Sequence, residues 1–256
     1  MISFSVIIPT HNRNNFLRRA IKSSLSQKKM PFEILIIDDC DNLETKTIVK
    51  KFDNKYKYVS IKYLKNEKKN NALISRNIGV IKAKGNFVAF LDDDDFWHKN
   101  YLFDAHVIIK KKKKDIIIYN TFDFFNKKEI KKNKKIPLVF KIDDYLHYNP
   151  GVVCSNVIIK KKTFLDLEGY DLKLSGGADK DLFIKGVLSK KNYFISNKRY
   201  VYLQNHPEQW SKKLKLILLQ KILFFKKYFK YYLNLKNFLK FIKMILKLML
   251  VIVNKK

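Results

Sequence analysis

The run Phe87-Val88-Ala89-Phe90-Leu91 passes without a break into Asp92-Asp93-Asp94-Asp95. The first half is β-prone and suited to burial. Four adjacent carboxylates are not, unless a cation neutralises them. The chain is thereby obliged to set the end of one buried strand at the rim of a crevice. With 54 basic against 23 acidic residues and a net charge of +31, acids gathered at one point are best accounted for by a divalent metal on oxygen ligands beside a substrate phosphate.

Upstream of this point two periodicities alternate. Apolar runs at Phe4–Pro9, Glu33–Ile37, Val59–Leu64 and Phe87–Leu91 read as strands. Between them, Asn14–Gln27, a polar stretch through Thr45, Ile48, Val49 and Phe52, and Asn70–Ala83 carry apolar residues at helical spacing. Strands alternating with helices predict right-handed crossovers and a mostly parallel sheet with helices on both faces, an α/β fold. Further on, Tyr101–Lys114 reads as a helix, Asp115–Tyr119 and Val152–Ile159 as strands, and Asn126–Lys135 as a lysine-rich loop or hairpin tip. Thr163–Lys185 reads as a loop followed by a helix. At 256 residues the chain can bury a sizeable core.

In such sheets ligands bind beyond the carboxyl ends of the strands. Three polar clusters fall there: Pro9-Thr10-His11-Asn12-Arg13, Asp38-Asp39 and the tetrad. Asp92 and Asp94, two positions apart as the chain leaves a strand, point the same way and can share one hard cation. A solvated acidic turn or a helix-capping cluster is the plainer alternative, and the strand before the acids argues against it. Asp39 is placed to bond a nucleobase or ribose hydroxyl, since Asp41 or Asn42 is the better cap for the following helix. Arg76, one of only five arginines, suits a phosphate or a site carboxylate, with a surface ion pair as the alternative. Asp179 and Asp181 follow Gly176-Gly177 and precede an amphipathic helix; a carboxylate held there can act as general base on an acceptor hydroxyl, and one of the two can cap the helix. His206 is a candidate third metal ligand or phosphate contact, with a surface histidine as the alternative. Cys40 and Cys154 match no metal-ligand or redox spacing and read as small core residues in a reducing compartment.

Taken in order, Ser5-Val6-Ile7-Ile8-Pro9-Thr10-His11-Asn12-Arg13, Ile36-Ile37-Asp38-Asp39, Ser75-Arg76-Asn77-Ile78-Gly79 and Phe90-Leu91-Asp92-Asp93-Asp94-Asp95 resemble the family 2 glycosyltransferases of the GT-A fold. The resemblance runs from Ile2 to about residue 210. It implies a nucleotide-sugar donor, UDP-linked by family default, a Mn²⁺ or Mg²⁺ ion on the Asp-x-Asp pair, and inversion at the anomeric carbon. It also implies that Pro9, His11 and Arg13 line the nucleotide pocket, that Asp39 contacts the base, and that Arg76 lies near the phosphates. Asp94 becomes the principal metal ligand, with Asp92 and Asp93 supporting metal and ribose. The family's base usually stands in a Glu-Asp pair before a helix. Here Ala178-Asp179-Lys180 keeps the Asp but lacks the Glu and carries Lys where an aromatic is usual. Gly169-Tyr170-Asp171 resembles the acceptor-side loop.

These readings predict a GT-A domain over 1–210 and a helical, lysine-rich tail over 211–256. The tail interleaves lysines with Leu214, Ile217, Leu218, Ile222, Phe225 and Tyr228. Such helices lie in an anionic membrane interface; a helical cap on the catalytic domain or a dimer seam is the alternative. Lys243 and Lys247 interrupt Phe241–Val253, so that segment dips in rather than spans. Met1-Ile2-Ser3-Phe4 leads straight into a strand, as in a chain without a signal peptide. The expectation is a cytoplasmic enzyme on the inner membrane face that glycosylates a glycan or lipid-linked acceptor in surface polysaccharide synthesis. The competing reading is a non-enzymatic basic protein on anionic lipid or nucleic acid. Specific nucleic-acid recognition is not expected, because arginine is scarce and not interleaved with stacking aromatics.

Overall fold

A computed structural model of the chain describes residues 1–68, 71–125, 128–131, 135–174, 176–205 and 214–253. Strands β1 (Phe4–Thr10) and β2 (Glu33–Asp38) are buried along their whole lengths, which is why they read as continuous apolar runs. Strand β3 (Ser60–Lys65) lies at the sheet edge and turns Lys62 and Lys65 outward. Helices α1 (Asn14–Leu25), α2 (Leu43–Lys55) and α3 (Ala72–Lys82) connect these strands and lead into β4 (Phe87–Phe90). Asn42 and Asn71 cap α2 and α3, each side chain accepting two backbone N–H groups of the first turn.

The chain continues through β5 (Phe96–Trp97), α4 (Tyr101–Lys112), β6 (Ile116–Phe125), β7 (Lys128–Lys131) and a short α5 (Asp143–Leu146). Then come β8 (Val157–Lys160), α6 (Lys161–Asp166), α7 (Ala178–Leu188) and β9 (Tyr193–Gln204). The sheet order is β3-β2-β1-β4-β8-β6-β9-β5, with β7 paired to β6. It is parallel from β3 to β4; β8 then runs antiparallel between β4 and β6, and β9 returns parallel to β6.

Alternate residues of each strand feed two cores, one per sheet face. Val6, Ile8, Ile34 and Ile36 pack with α1, α2 and α4. Ile7, Leu35, Ile37 and Phe90 pack with α3, α6 and α7 on the other face. Gly79 lets α3 lie against β1, because a Cβ there would meet Ile7 Cγ2 at 2.5 Å. Ile7 is fully buried and has nowhere to move. Gly79→Ala is expected to destabilise the protein by about 1–3 kcal/mol through overpacking, seen as a lower Tm; an unchanged Tm would mean the helix can lift off without loss.

Two regions differ from expectation. Strand β9 carries the polar interruption Asn197-Lys198-Arg199, and its register with β6 slips around Asn120, so no period of two survives in the sequence. Residues 152–159 divide into a 3-10 turn, Cys154–Asn156, and β8. The tail forms α8 (Leu214–Lys227), a 3-10 turn (Phe229–Tyr232) and α9 (Leu235–Val253). Phe224, Tyr228, Tyr232 and Phe241 of the tail share a core with Leu182 and Phe183 of α7. Among the described residues, these side chains pack on α7 as a helical cap.

Candidate active site

Strands β1 and β4 pair only from Phe4 opposite Phe87 to Ile7 opposite Phe90. Beyond Ile7, β1 continues with β2 alone, Pro9 standing opposite Ile37 and Thr10 opposite Asp38. Pro9 has no N–H to give, and it sits where β4 has already parted from β1. Successive strands run outward from this gap in both directions, which makes it the switch point of the sheet.

The sequence-derived candidates line the gap. Thr10 Oγ1 donates to Asp93 Oδ2 at 2.8 Å, and Arg13 Nη1 to Asp94 Oδ2 at 2.9 Å. Burial alternates along the tetrad: Asp93 and Asp95 are buried, while Asp92 and Asp94 keep partial exposure toward the crevice. Burial, reinforced by the charge of Asp94, pushes the Asp93 carboxyl up to about 7. Asp95 is likewise held well above the usual carboxylate range by burial. It is built into the scaffold, accepting from Ser155 Oγ at 2.6 Å and from the backbone N–H of Gln204 at 3.0 Å. Ser155 Oγ also accepts from the N–H of Asp92 at 3.0 Å, so one hydroxyl braces both ends of the tetrad. One carboxylate oxygen from each of Asp92, Asp94 and Asp95 lies within 4.8 Å of the other two. Hard oxygens at that spacing fit Mg²⁺ or Mn²⁺.

At the other end of the crevice, His11 Nδ1 pairs with Asp39 Oδ1, and Asp39 is buried while His11 is half exposed. Asp38 has a different task. It accepts the backbone N–H groups of Cys40 and Asn42 and the Tyr63 hydroxyl, and so shapes the turn after β2. Asn42 Nδ2 donates to Asn12 Oδ1 at 2.8 Å, joining this turn to the one after β1. His11, Asp39 and Cys40 also cluster closely. Burial, with the Asp38 hydrogen bond, lifts the Cys40 thiol to about 11, which makes it a poor metal ligand at neutral pH.

Arg76 is buried and donates to Asp92, so the surface ion pair considered for it is absent and its partner is a site carboxylate. Asp92, Cys154, Tyr170 and Asp179 all act electrostatically on this one guanidinium. Asp179, in the first turn of α7, accepts from Cys154 Sγ at 2.6 Å. Burial raises its carboxyl to about 6, against the opposing pull of Arg76 and the Cys154 bond. Asp181 is buried and structural: it accepts from Tyr228 Oη at 2.8 Å and pairs with Lys227, tying α7 to α8. Gly169, at φ +64, turns the chain so that the N–H of Tyr170 donates to Asn77 Oδ1 and the Tyr170 carbonyl accepts from Asn77 Nδ2.

The departures from the family pattern around Asp179 have physical counterparts. Ala178 is packed in the core, where a Glu would be buried. Lys180 is buried, donates to the Tyr145 carbonyl at 2.8 Å and lies 3.7 Å from the Phe224 ring centroid of α8. Burial pushes its ammonium down to about 7. Ser155, Cys154, Arg19 and Gln204 also bond these groups, although no motif in the sequence marks them. Arg19 donates to the carbonyl of Asp94 and to Gln204, and each of these residues reaches the site from a distant part of the chain. His206 lies outside the described residues.

The profile of glycosyl transferase family 2 matches residues 5–165, more than half of the chain. The poly(ribitol-phosphate) beta-N-acetylglucosaminyltransferase TarP of Staphylococcus aureus N315 is 31% identical over 214 residues, covering 79% of this chain and 63% of that protein. TarS of S. aureus Mu50, with the same activity in its name, is 33% identical over 121 residues, 46% of this chain and 21% of its own. The chain thus spans less than two thirds of either relative. The crystal structure of S. aureus TarS 1-349 in complex with UDP-GlcNAc superposes with a TM-score of 0.68 at 20% identity, covering 97% of this chain and 72% of that one; the likeness shows a shared fold. With the family's segments in place around the crevice, the chain belongs to glycosyl transferase family 2.

Proposed function

We propose that the chain is a metal-dependent, inverting glycosyltransferase that moves a sugar from a UDP-linked donor to a hydroxyl of a surface glycan. One observation carries this reading: neighbouring residues of one 3-10 turn touch both groups, Cys154 donating to Asp179, the candidate base, and Ser155 bonding Asp92 and Asp95 of the candidate metal cluster. That proximity supports placing the two chemical functions a transferase needs beside one another. The names of the relatives, which specify N-acetylglucosamine transfer to a poly(ribitol phosphate), support a nucleotide-sugar donor and a glycan acceptor.

Asp92 and Asp94 would hold Mn²⁺ or Mg²⁺, supported by Asp95. When bound, the ion neutralises charge developing on the departing diphosphate. The protein side of the reaction follows from the residues. His11 and Asp39 stand at the end of the crevice where a uracil and ribose would lie, and Arg13 is within reach of the acids that face the phosphates. Asp179 takes the proton of the acceptor hydroxyl while its oxygen attacks C1, and the C1–O bond to the diphosphate breaks on the opposite face, which inverts the centre. The S–H of Cys154 and the charge of Arg76 keep this carboxylate oriented and largely ionised near neutral pH.

The test is turnover of a panel of nucleotide sugars by the full chain, with Mn²⁺ and with EDTA, membrane extract being supplied as acceptor. Release of UDP from one UDP-sugar, stopped by EDTA, is the expected result. Metal-independent release, or none from any donor, would overturn the proposal.

A further inference from the structure

Helix α9 presents three faces with different chemistry. The inner face holds Asn237, Phe241, Met244 and Ile245. Phe241 stacks on Phe225 of α8, ring centroids 4.2 Å apart, and Asn237 donates to Asp143 and to the Tyr231 carbonyl. The helix is thus fixed in orientation by specific contacts. On a different side, Leu235, Leu239, Ile242, Leu246, Leu250 and Val253 are exposed, the last two at 63% and 66%. At about 100° per residue these six fall within roughly 60° of one line along the helix. Lys236, Lys240, Lys243 and Lys247 form a third strip, all exposed, on one flank of that line.

We infer that this outer face of α9 docks the protein onto the interface of an anionic phospholipid bilayer. The charge pattern selects this occupant. The sequence from 211 to 256 contains no Asp or Glu, so the lysine strip has no acid on its own helices to answer it. A second copy of the chain, pairing stripe against stripe, would bring two lysine rows to one seam. A layer of anionic headgroups supplies the missing charge beside an apolar layer that accepts the leucines. No described helix is long and apolar enough to cross a membrane, so α9 lies in the interface plane. The consequence reaches the crevice. Lys227 of α8 and the adjoining Tyr228 hold Asp181, and Phe224 covers Lys180, on the same helix α7 whose first turn carries Asp179. Because α9 packs on α8 and α8 on α7, docking through α9 would tether the helix that carries Asp179 to the membrane-bound part of the protein. The inference stands on α9 alone and does not depend on which donor the site takes.

The test is co-sedimentation of the full chain with vesicles of phosphatidylcholine, with or without phosphatidylglycerol, in low and high salt. Two variants accompany the parent: Leu239→Ser with Ile242→Ser and Leu246→Ser, and Lys236→Gln with Lys240→Gln, Lys243→Gln and Lys247→Gln. The parent is expected to partition at least tenfold more onto phosphatidylglycerol vesicles than onto phosphatidylcholine alone, with salt reducing the difference. Each variant is expected to lose at least tenfold in partitioning while keeping the parent's Tm. The lysine variant alters only exposed side chains, so it tests the idea even if the serine variant unfolds. Equal binding to both vesicle types, or full binding by the lysine variant, would overturn the inference. So would a concentration-dependent dimer of the parent that the serine variant converts to monomer.

Discussion

Asp94→Ala is expected to lower sugar transfer on the order of 10³-fold, with the donor still recognised at its base and ribose. The magnitude follows from the several kcal/mol by which a positioned cation stabilises a leaving diphosphate. Asp94 is one of the two partly exposed acids of the tetrad, and its carboxylate belongs to the compact oxygen cluster with Asp92 and Asp95. On the proposed metal site, its removal would leave too few hard ligands to hold the ion. The fold should survive. Arg13 keeps Asp93 as a partner, and Asp93 loses the neighbouring charge that, after burial, does most to raise its carboxyl. The variant should therefore match the parent in Tm and respond to Mn²⁺ only at far higher concentration. Transfer within tenfold of the parent, at the same Mn²⁺ requirement, would remove Asp94 from the site.

Much of this site is legible in the sequence because its parts are local. The end of a strand is marked by an abrupt change from apolar to polar residues, and that change is visible at Pro9, Ile37 and Leu91 alike. Asp92 and Asp94 share partial exposure, but the tetrad does not continue β4 as extended backbone: it forms a turn closed by the Asp95 N–H on the Asp92 carbonyl at 3.0 Å. The residues that set the properties of those groups are another matter. Ser155 braces a tetrad some 60 positions away, and Cys154 meets a carboxylate 25 positions on, because a 3-10 turn before β8 brings both beside β4. Nothing in a buried Cys-Ser-Asn announces such contacts. Likewise the tail looks uniform as a sequence, yet α8 spends its aromatic face on α7 while α9 keeps an apolar face exposed. The difference is decided by Asp181, Lys180 and Asn237, polar residues whose partners only the fold supplies.

Asp179→Asn carries the other large effect, a fall in kcat of about 10²- to 10⁴-fold, the range set by loss of a general base. An amide keeps the shape and can still face Cys154, so stability and donor affinity should change little, while the acceptor proton has nowhere to go. The pH profile makes the assignment specific. A base acts only when deprotonated, and burial places this carboxyl at about 6. The parent's kcat/KM should therefore be half-maximal near pH 6, fall tenfold per unit below it, and level off above pH 7. In the asparagine variant that acid limb should vanish, leaving a low plateau. Cys154→Ala gives the sign check. The thiol hydrogen bond favours the ionised carboxylate, so its loss must raise the carboxyl further and move the limb to higher pH while activity on the plateau persists. If the limb stays at the same pH in both variants, the titrating group lies elsewhere and Asp179 only shapes the acceptor side of the crevice.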